Sequence, residues 1–229
     1  MEPLNPSVTE ANEARSGSRN RLYRRAGKRA LDAAVSAMML IVISPLLLIV
    51  CGVVKLTSNG PVFYRQERVG EAGRPFKIVK FRSMVVDADR RGPGLTSAGD
   101  PRVTRCGAIL RRLKIDELPQ LWNVLIGDMS LVGPRPELPV YVADYDSRQR
   151  AVLVVRPGIT DTASIAFRWE EELLAQRSNP EQFYREYILP RKVALNLEYV
   201  ANISLEYDFL LILRTVRCLF SFPSANYKH

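Results

Sequence analysis

The sequence predicts an α+β fold that is mostly helical and that begins with a membrane-inserted helix pair. Three observations predict this fold. Residues 33–54 carry no charge and contain Ser44-Pro45 near their middle. Two short β-prone segments follow, and the rest of the chain places apolar residues at helical spacing. We therefore expect a re-entrant helix-break-helix, a small antiparallel β-hairpin, and amphipathic helices that lie on the membrane surface.

The composition is that of a chain with a real core. Hydrophobic residues make up 47% of the 229 residues and charged residues 25%, which does not fit a protein with many membrane spans. Lysine and arginine together number 33, against 24 aspartates and glutamates, for a net charge of +9. This excess predicts a polyanionic partner, which could be a nucleic acid, a phosphorylated substrate or an anionic lipid.

Histidine and cysteine usage excludes several kinds of site. The single histidine is the last residue, His229, so histidine-based zinc sites and Ser-His-Asp or Cys-His catalysis are excluded. The three cysteines are Cys51, Cys106 and Cys218. Because they are odd in number and widely spaced in apolar surroundings, they indicate reduced packing residues and not a disulfide framework.

The uncharged segment 33–54 has two interpretations. On hydropathy alone it is a single transmembrane anchor, since it is long enough to cross a bilayer as a straight helix. However, proline tends to kink a helix, and serine can bond a carbonyl that the proline leaves free. Arginines and lysines also flank the segment on both sides, whereas a crossing helix carries them mainly on the cytoplasmic side. A helix that breaks at Ser44-Pro45 and returns to the same face satisfies both observations.

The chain after this segment divides into a hairpin and a helical region. Residues 62–66 and 76–82 are β-prone and are joined by a Gly- and Pro-containing connection, and helical spacing dominates from residue 102 onward. The predicted organisation is therefore as follows: a disordered basic tail (1–26), the re-entrant hairpin (27–57), a catalytic domain on the cytoplasmic face (58–222) and a short tail (223–229).

The adjacent carboxylates Asp116 and Glu117 are the candidate catalytic pair. Because Pro119 is tolerated only in a first helical turn, a helix should begin at about Asp116. The simplest interpretation is then structural: Asp116 caps the helix and Glu117 complements its dipole. Several cations in the surrounding sequence favour a site instead, among them Lys77, Lys80, Arg82, Arg111, Arg112, Arg135 and Arg156.

Carboxylates among cations suit attack on a phosphate ester. Arginine binds phosphate oxygens through two parallel hydrogen bonds and neutralises developing charge. One carboxylate can act as a nucleophile that forms an acyl phosphate, and the other can hold Mg²⁺, which prefers carboxylates together with substrate phosphates.

Five sequence blocks carry a family resemblance. In chain order they are KRALDAAVSAMMLIVISPLLL, GPVFYRQERVG, FKIVKFRSM, IDELPQLWNVLIGDMSLVGPRP and VRPGIT. Together they resemble the bacterial sugar transferase family, the small monotopic phosphoglycosyl transferases, from about Lys28 to Phe220. The resemblance implies a re-entrant helix broken at Ser44-Pro45, with Asp116 as covalent nucleophile and Glu117 associated with Mg²⁺.

The resemblance also implies an activity. A sugar 1-phosphate would pass from a nucleoside diphosphate sugar, usually a UDP-sugar, to a polyprenol phosphate such as undecaprenyl phosphate. The phosphate-binding residues would be Lys80, Arg82, Arg111, Arg135 and Arg168. This reaction would initiate exopolysaccharide, lipopolysaccharide or glycoprotein synthesis at the cytoplasmic face of the bacterial inner membrane.

One part of the chain departs from the family pattern. After VRPGIT the better-known members continue Gly-Trp-Ala-Gln, whereas this chain has Asp161 to Ser164, DTAS. This departure bears on which sugar is used.

The alternative to an enzyme is a basic, membrane-associated adaptor or scaffold. We expect no nucleic-acid partner, because the basic residues follow the membrane segment, and a homodimer is compatible with the sequence.

Overall fold

A computed structural model describes residues 23–92 and 94–219. Most of the predicted N-terminal tail and all of the predicted tail 223–229 lie outside the described residues. The helices are α1 (Lys28–Thr57), α2 (Arg105–Arg112), α3 (Gln120–Ile126), α4 (Pro139–Val142), α5 (Thr162–Ala166), α6 (Glu170–Ala175), α7 (Pro180–Phe183), α8 (Leu189–Ala201) and α9 (Leu205–Leu219). The strands are β1 (Phe63–Val69), β2 (Pro75–Phe81), β3 (Ser130–Val132) and β4 (Gly158–Thr160). The fold is therefore mostly helical α+β, as the sequence predicts.

Two small sheets connect the helices. Strands β1 and β2 form the predicted antiparallel hairpin, in which Tyr64 lies opposite Lys80. Strands β3 and β4 form a parallel pair that the sequence did not predict, with Ser130 opposite Gly158. A side chain on Gly158 would collide with the backbone of Gly133, so the two chain segments approach more closely than any other residue would permit. This close approach brings the segments that follow β3 and β4 side by side.

Helix α1 runs through Ser44 and Pro45 without leaving the helical conformation. The break predicted here is therefore not a loss of helix, and the return of the chain to the same membrane face stays a prediction. The serine hydroxyl donates to the Ile41 carbonyl at 2.8 Å. Ile41 lies four residues before Pro45, so this carbonyl is the one that the missing proline N–H leaves without its usual donor. The predicted compensation by serine is confirmed.

Both ends of α1 contact the rest of the domain. Near the start, Arg29 donates to the carbonyls of Val124 and Leu125 at 2.6 and 2.7 Å, at the C-terminal end of α3. Near the end, Val54 packs with Phe81 and Leu110 in a buried cluster. In its most apolar part only 11% of α1 is buried, which differs from the core helix of a soluble protein. Within the described residues, α1 is the one helix long and apolar enough to span a membrane.

The main core lies away from α1. It is built from Tyr141 of α4, Leu174 of α6, Tyr184 of the helical turn Tyr184–Ile188 and Val193 of α8, among others. A second cluster joins Tyr199 of α8 and Leu211 of α9 to Val132 of β3. These clusters hold β3 against the helical part of the domain and so fix the position of the segment that follows it.

Helices α2, α3 and α9 expose large apolar side chains, in accord with the predicted amphipathic surface helices. Each of these side chains is more than two-fifths exposed: Ile109 of α2, Trp122 and Ile126 of α3, and Leu205, Phe209, Leu213 and Val216 of α9. Cys51, Cys106 and Cys218 are free, as predicted.

Candidate active site

The Asp116-Glu117 pair lies in a tight 3₁₀ turn, Ile115–Glu117, that precedes α3. Lys114 enters this turn in the left-handed conformation, with a φ of 55°. Helix α3 begins only at Gln120, and neither the turn nor the helix has a side-chain cap. The alternative interpretation of Asp116 as a helix cap is therefore wrong, because Asp116 lies inside the 3₁₀ turn and not at the position before it. Its carboxylate is available for another purpose.

Glu117 is held by two cations from different parts of the chain. Arg135 donates to it through both guanidinium ends, with Nη1 at 3.2 Å from Oε2 and Nη2 bonded to Oε1. Lys80 of β2 donates to Oε1 at 3.0 Å. Burial opposes ionisation of Glu117, but the charges of Arg135 and Lys80 outweigh it and hold the pKa of Glu117 well below its usual value. The side chain of Glu117 is thus largely enclosed, at 12% exposed, and its two cationic partners favour the charged form.

Asp116 is only 5% exposed, and its Oδ1 makes no hydrogen bond within the described residues. Burial raises the pKa of Asp116, and the neighbouring charge of Glu117 raises it further, against the effect of Lys80. The two adjacent carboxylates thus have pKa values displaced in opposite directions. A buried polar atom without a partner is costly, and such atoms in native proteins are concentrated at sites of function.

The remaining predicted cations have other partners in this structure. Arg111 forms an ion pair with Glu171 of α6. Arg82 donates to the carbonyl and hydroxyl of Ser58 at 2.9 and 2.7 Å, and so joins β2 to the end of α1. Arg168 lies over the ring of Trp169, 4.5 Å from its centroid. The structure thus brings Lys80 and Arg135 to the carboxylate pair, whereas the phosphate contacts of Arg82, Arg111 and Arg168 stay predictions.

The carboxylate pair offers oxygen donors of the type that Mg²⁺ takes. No group of three or more candidate ligand side chains occurs within residues 23–92 and 94–219, so the chain does not form a closed metal site there. Mg²⁺ ordinarily takes one or two carboxylates together with substrate phosphates and water. The unpartnered oxygen of Asp116 and the neighbouring Glu117 supply hard oxygen donors of that kind.

An apolar groove opens between α1, the hairpin and α3. Its volume is about 540 Å³. The groove is lined on the α1 side by Leu40 and Leu47, which lie on either side of Ser44-Pro45, and on the domain side by Trp122 and Pro119 among others. Pro119, one of the lining residues, is two positions from Glu117 in the sequence. The position of the groove beside the one helix of the described chain that could enter a membrane suits an apolar chain.

Comparison with known proteins identifies the family. The family model described as bacterial sugar transferase matches residues 23–222, which is most of the chain and includes the hairpin, the carboxylate pair and β4. The chain belongs to the bacterial sugar transferase family.

Curated relatives of this sugar transferase act on different sugars according to their names. A UDP-N-acetylgalactosamine-undecaprenyl-phosphate N-acetylgalactosaminephosphotransferase of Aeromonas hydrophila is 37% identical over 84% of the chain and 43% of its own length. A UDP-glucose:undecaprenyl-phosphate glucose-1-phosphate transferase of Caulobacter vibrioides is 39% identical over 86% of the chain and 71% of its own length. The exopolysaccharide production protein ExoY of Sinorhizobium fredii is 35% identical over 82% of the chain and 83% of its own length. The chain therefore spans less than half of the Aeromonas protein but most of the other two.

Sequence reasoning missed two acidic residues that contact predicted site residues of this sugar transferase. Glu171, the partner of Arg111, lies 60 positions away in a run of three glutamates that resembles an ordinary solvated helix start. Asp161 was recognised only as a departure from the family pattern. In the structure it is fully buried and accepts a hydrogen bond from the backbone N–H of Arg135 at 2.7 Å. The signal for Asp161 was a charged residue in an otherwise apolar and small-residue segment.

Proposed function

We propose that this sugar transferase moves a sugar 1-phosphate from a UDP-sugar to a polyprenol phosphate through a covalent intermediate on Asp116. One observation carries the proposal. In a member of this family, a buried aspartate with an unpartnered oxygen stands beside a glutamate that is held by Arg135 and Lys80. A basic adaptor would have no need for this costly arrangement.

The reaction would occur in two displacements. In the first, an oxygen of the Asp116 carboxylate attacks the phosphorus that bears the sugar, the bond from this phosphorus to the bridging oxygen breaks, and UMP leaves with the electron pair. In the second, a phosphate oxygen of the polyprenol phosphate attacks the same phosphorus. The acyl-phosphate bond breaks, and the Asp116 carboxylate is regenerated as the polyprenyl diphosphate sugar departs.

The other residues would stabilise charge and hold geometry. Lys80 and Arg135 meet at Glu117, where their charges would offset that of the diphosphate as the leaving group forms. Glu117 would in turn fix both cations and face a magnesium ion bound to the substrate. When it is bound, Mg²⁺ would neutralise phosphate charge and orient the diphosphate.

The lipid acceptor would approach from the membrane side. The groove between Leu40, Leu47 and Trp122 could take the apolar chain of the polyprenol, because it opens beside α1 and is also lined by Pro119, which is two positions from Glu117. Exposed apolar residues on α2, α3 and α9 would lie on the same bilayer. This arrangement would allow a soluble nucleotide sugar and a lipid to meet at one site.

We further propose that α1 is re-entrant and that the active site faces the cytoplasm. The contacts of Arg29 and Val54 support a common side for both ends of α1, since both residues pack against the same domain. If α1 crossed the bilayer, one of these contacts would require charged parts of the domain to enter the membrane. The proline with its compensating serine lies between the two contacts, where a bend would be needed.

Release of UMP tests the proposal directly. Detergent-solubilised protein is incubated with undecaprenyl phosphate, Mg²⁺ and a panel of UDP-sugars, and UMP is measured. We expect release with at least one sugar, together with a phosphoryl-sugar adduct on Asp116 detectable by mass spectrometry when the lipid is omitted. Absence of UMP with every donor would support the adaptor function instead.

A further inference from the structure

Asp161 lies where two neighbouring strands end, and it makes two hydrogen bonds there. Its Oδ2 accepts from the backbone N–H of Arg135 at 2.7 Å, and its Oδ1 accepts from the backbone N–H of Ser164 at the start of α5. The residue is completely buried. Burial raises the pKa of Asp161, which reflects the cost of placing a carboxylate at this position.

The backbone N–H of Arg135 is the only backbone donor between two prolines, and Asp161 is its acceptor. Pro134 and Pro136 flank Arg135 and have no N–H, so Arg135 supplies the single backbone donor of the segment Pro134–Pro136. The parallel ladder ends one step earlier, where Gly133 donates to the carbonyl of Thr160 at 3.0 Å. The side chain of Asp161 thus continues the connection beyond the ladder.

The connection reaches the carboxylate pair through Arg135. Its guanidinium bonds both oxygens of Glu117, as described above. The backbone of Arg135 is stiffened by two prolines and is tied by one hydrogen bond to Asp161. We propose that Asp161 is a positioning residue of this sugar transferase, which fixes Arg135 so that its guanidinium meets Glu117 in the geometry needed for catalysis.

The kinetic consequences of this proposal rest on the proposed function. Asp161 begins the DTAS segment, where the sequence departs from the better-known members of the family. A glycine at this position, as in those members, offers no carboxylate to the N–H of Arg135. The position of Arg135 in this chain should therefore depend on a contact that a relative with glycine would lack.

Three substitutions separate a positioning role from simple helix capping. Asp161→Ser keeps an N-cap oxygen for Ser164 but is too short to bond Arg135 as well. Asp161→Ala loses both bonds, and Asp161→Asn keeps one acceptor oxygen. We expect kcat to fall about tenfold in both Asp161→Ser and Asp161→Ala, with a partial recovery in Asp161→Asn. Near-wild-type kcat in Asp161→Ser, with loss only in Asp161→Ala, would show a capping role and overturn the proposal.

A double-mutant cycle tests whether the effect passes through Arg135. Arg135→Lys keeps the charge but removes the fork that bonds Glu117. In this background Asp161→Ser should reduce kcat by less than about twofold, because the group that it positions is gone. A further tenfold loss would show that the two residues act independently and would contradict the proposal.

The same four proteins are compared by thermal unfolding, which does not depend on turnover. Because Arg135→Lys keeps the backbone N–H that donates to Asp161, Asp161→Ser should lower the unfolding temperature by a similar amount in both backgrounds. An unchanged unfolding temperature on Asp161→Ser in both backgrounds would count against the contact itself. A wild-type protein that releases no UMP would count against the proposed function alone, since the unfolding cycle still reports on Asp161 and Arg135.

Discussion

Arg135 bonds both carboxylate oxygens of Glu117, with Nη1 3.2 Å from Oε2 and Nη2 bonded to Oε1. This pair joins the segment after β3 to the turn before α3, 18 positions earlier in the chain. In contrast, Oδ1 of Asp116 makes no hydrogen bond within the described residues. The surroundings of the two adjacent acids therefore differ, which accords with the roles proposed above: Asp116 as nucleophile and Glu117 as the residue that holds the cations.

Asp116→Asn should abolish turnover and leave the fold intact. An amide is isosteric with the carboxylate but cannot act as the nucleophile, so UMP release should fall by about 10³-fold or more. Expression, membrane association and the thermal unfolding temperature should stay close to those of the wild type. Substantial UMP release by the purified variant would exclude the covalent mechanism.

Glu117→Gln should reduce activity by about 10²-fold and weaken the response to Mg²⁺. The neutral amide is a poorer partner for Lys80 and Arg135 and a poorer ligand for a hard cation. The check is a magnesium titration of UMP release by the variant and the wild type. An unchanged half-saturating Mg²⁺ concentration would remove Glu117 from the metal site.

Trp122→Ala should affect the lipid acceptor and not the nucleotide sugar. Trp122 lines the apolar groove, so its loss should raise KM for a long-chain polyprenol phosphate several-fold, while a short, water-soluble prenyl phosphate is affected little. Phe209→Ala is the matched control, since Phe209 is an exposed aromatic residue of α9 outside the groove residues. Equal effects of both variants on both acceptors would indicate general membrane docking and would contradict a specific groove.

Glu137→Gln should change how stability depends on pH. Burial opposes ionisation of Glu137, but Lys192, 3.3 Å away, and Arg68 hold the pKa of Glu137 below its usual value. A carboxylate with a depressed pKa stabilises the fold at pH values above its unfolded pKa of about 4.5, and this contribution is lost as the pH falls through the folded pKa. The variant should be less stable by about 3 kcal/mol at pH 7, and the difference should shrink below about pH 4.5.

Thermal unfolding between pH 3 and pH 8 measures this difference. Glu67→Gln serves as the control, because Glu67 is exposed on β1 and should show little difference at any pH. If the free energies of unfolding of the wild type and Glu137→Gln differ by the same amount from pH 3 to pH 8, the charge of the Glu137 carboxylate does not stabilise the fold.

Cysteine labelling tests the topology of α1. Single cysteines at Ser16 and at Asn59, in a background without the three native ones, should both resist a membrane-impermeant thiol reagent in intact cells and react after lysis. Asn59 is exposed, whereas its neighbour Ser58 bonds Arg82, so Asn59→Cys is less disruptive. Labelling of Ser16→Cys alone in intact cells would show a true span.

Pro45→Ala provides a second test of the same feature. It restores an N–H to the Ile41 carbonyl and removes the steric cause of a kink. We expect a mixed or misinserted population with reduced activity and not a clean inversion, because moving the arginine-rich N-terminal region across the membrane is costly. Unchanged labelling and activity in Pro45→Ala would show that the proline is not needed for the bend.

The parts of the fold that could be predicted are those with a local cause. The hairpin follows from two β-prone segments around a glycine-containing turn, and α3 ends at Gly127 because its φ of 100° suits glycine. The parallel pair β3–β4 could not be predicted, since each strand has three residues and the pairing depends on contacts between distant segments. Helical structure does begin near Asp116, in the 3₁₀ turn Ile115–Glu117. The residue before this turn is Lys114, whose left-handed conformation its residue type does not indicate, so Asp116 lies inside the turn and is not its cap.

The site could be predicted to a similar extent. Residue type and spacing singled out Asp116, Glu117 and Arg135, but they could not show which arginines reach the pair. Arg82 and Arg111 have partners that lie 24 and 60 positions away. Choosing between such partners and a phosphate requires the tertiary structure.

The two anchor points of α1 have a consequence for producing the protein. Removing residues 1–57 to obtain a water-soluble fragment would uncover Phe81 and Leu110, which Val54 covers, and would take away the arginine that binds the end of α3. The truncated domain should therefore aggregate or unfold, even though the proposed catalytic side chains are all retained. Helix α1 is a structural element of the enzyme as well as its attachment to the lipid, so solubility has to come from detergent or nanodiscs and not from truncation.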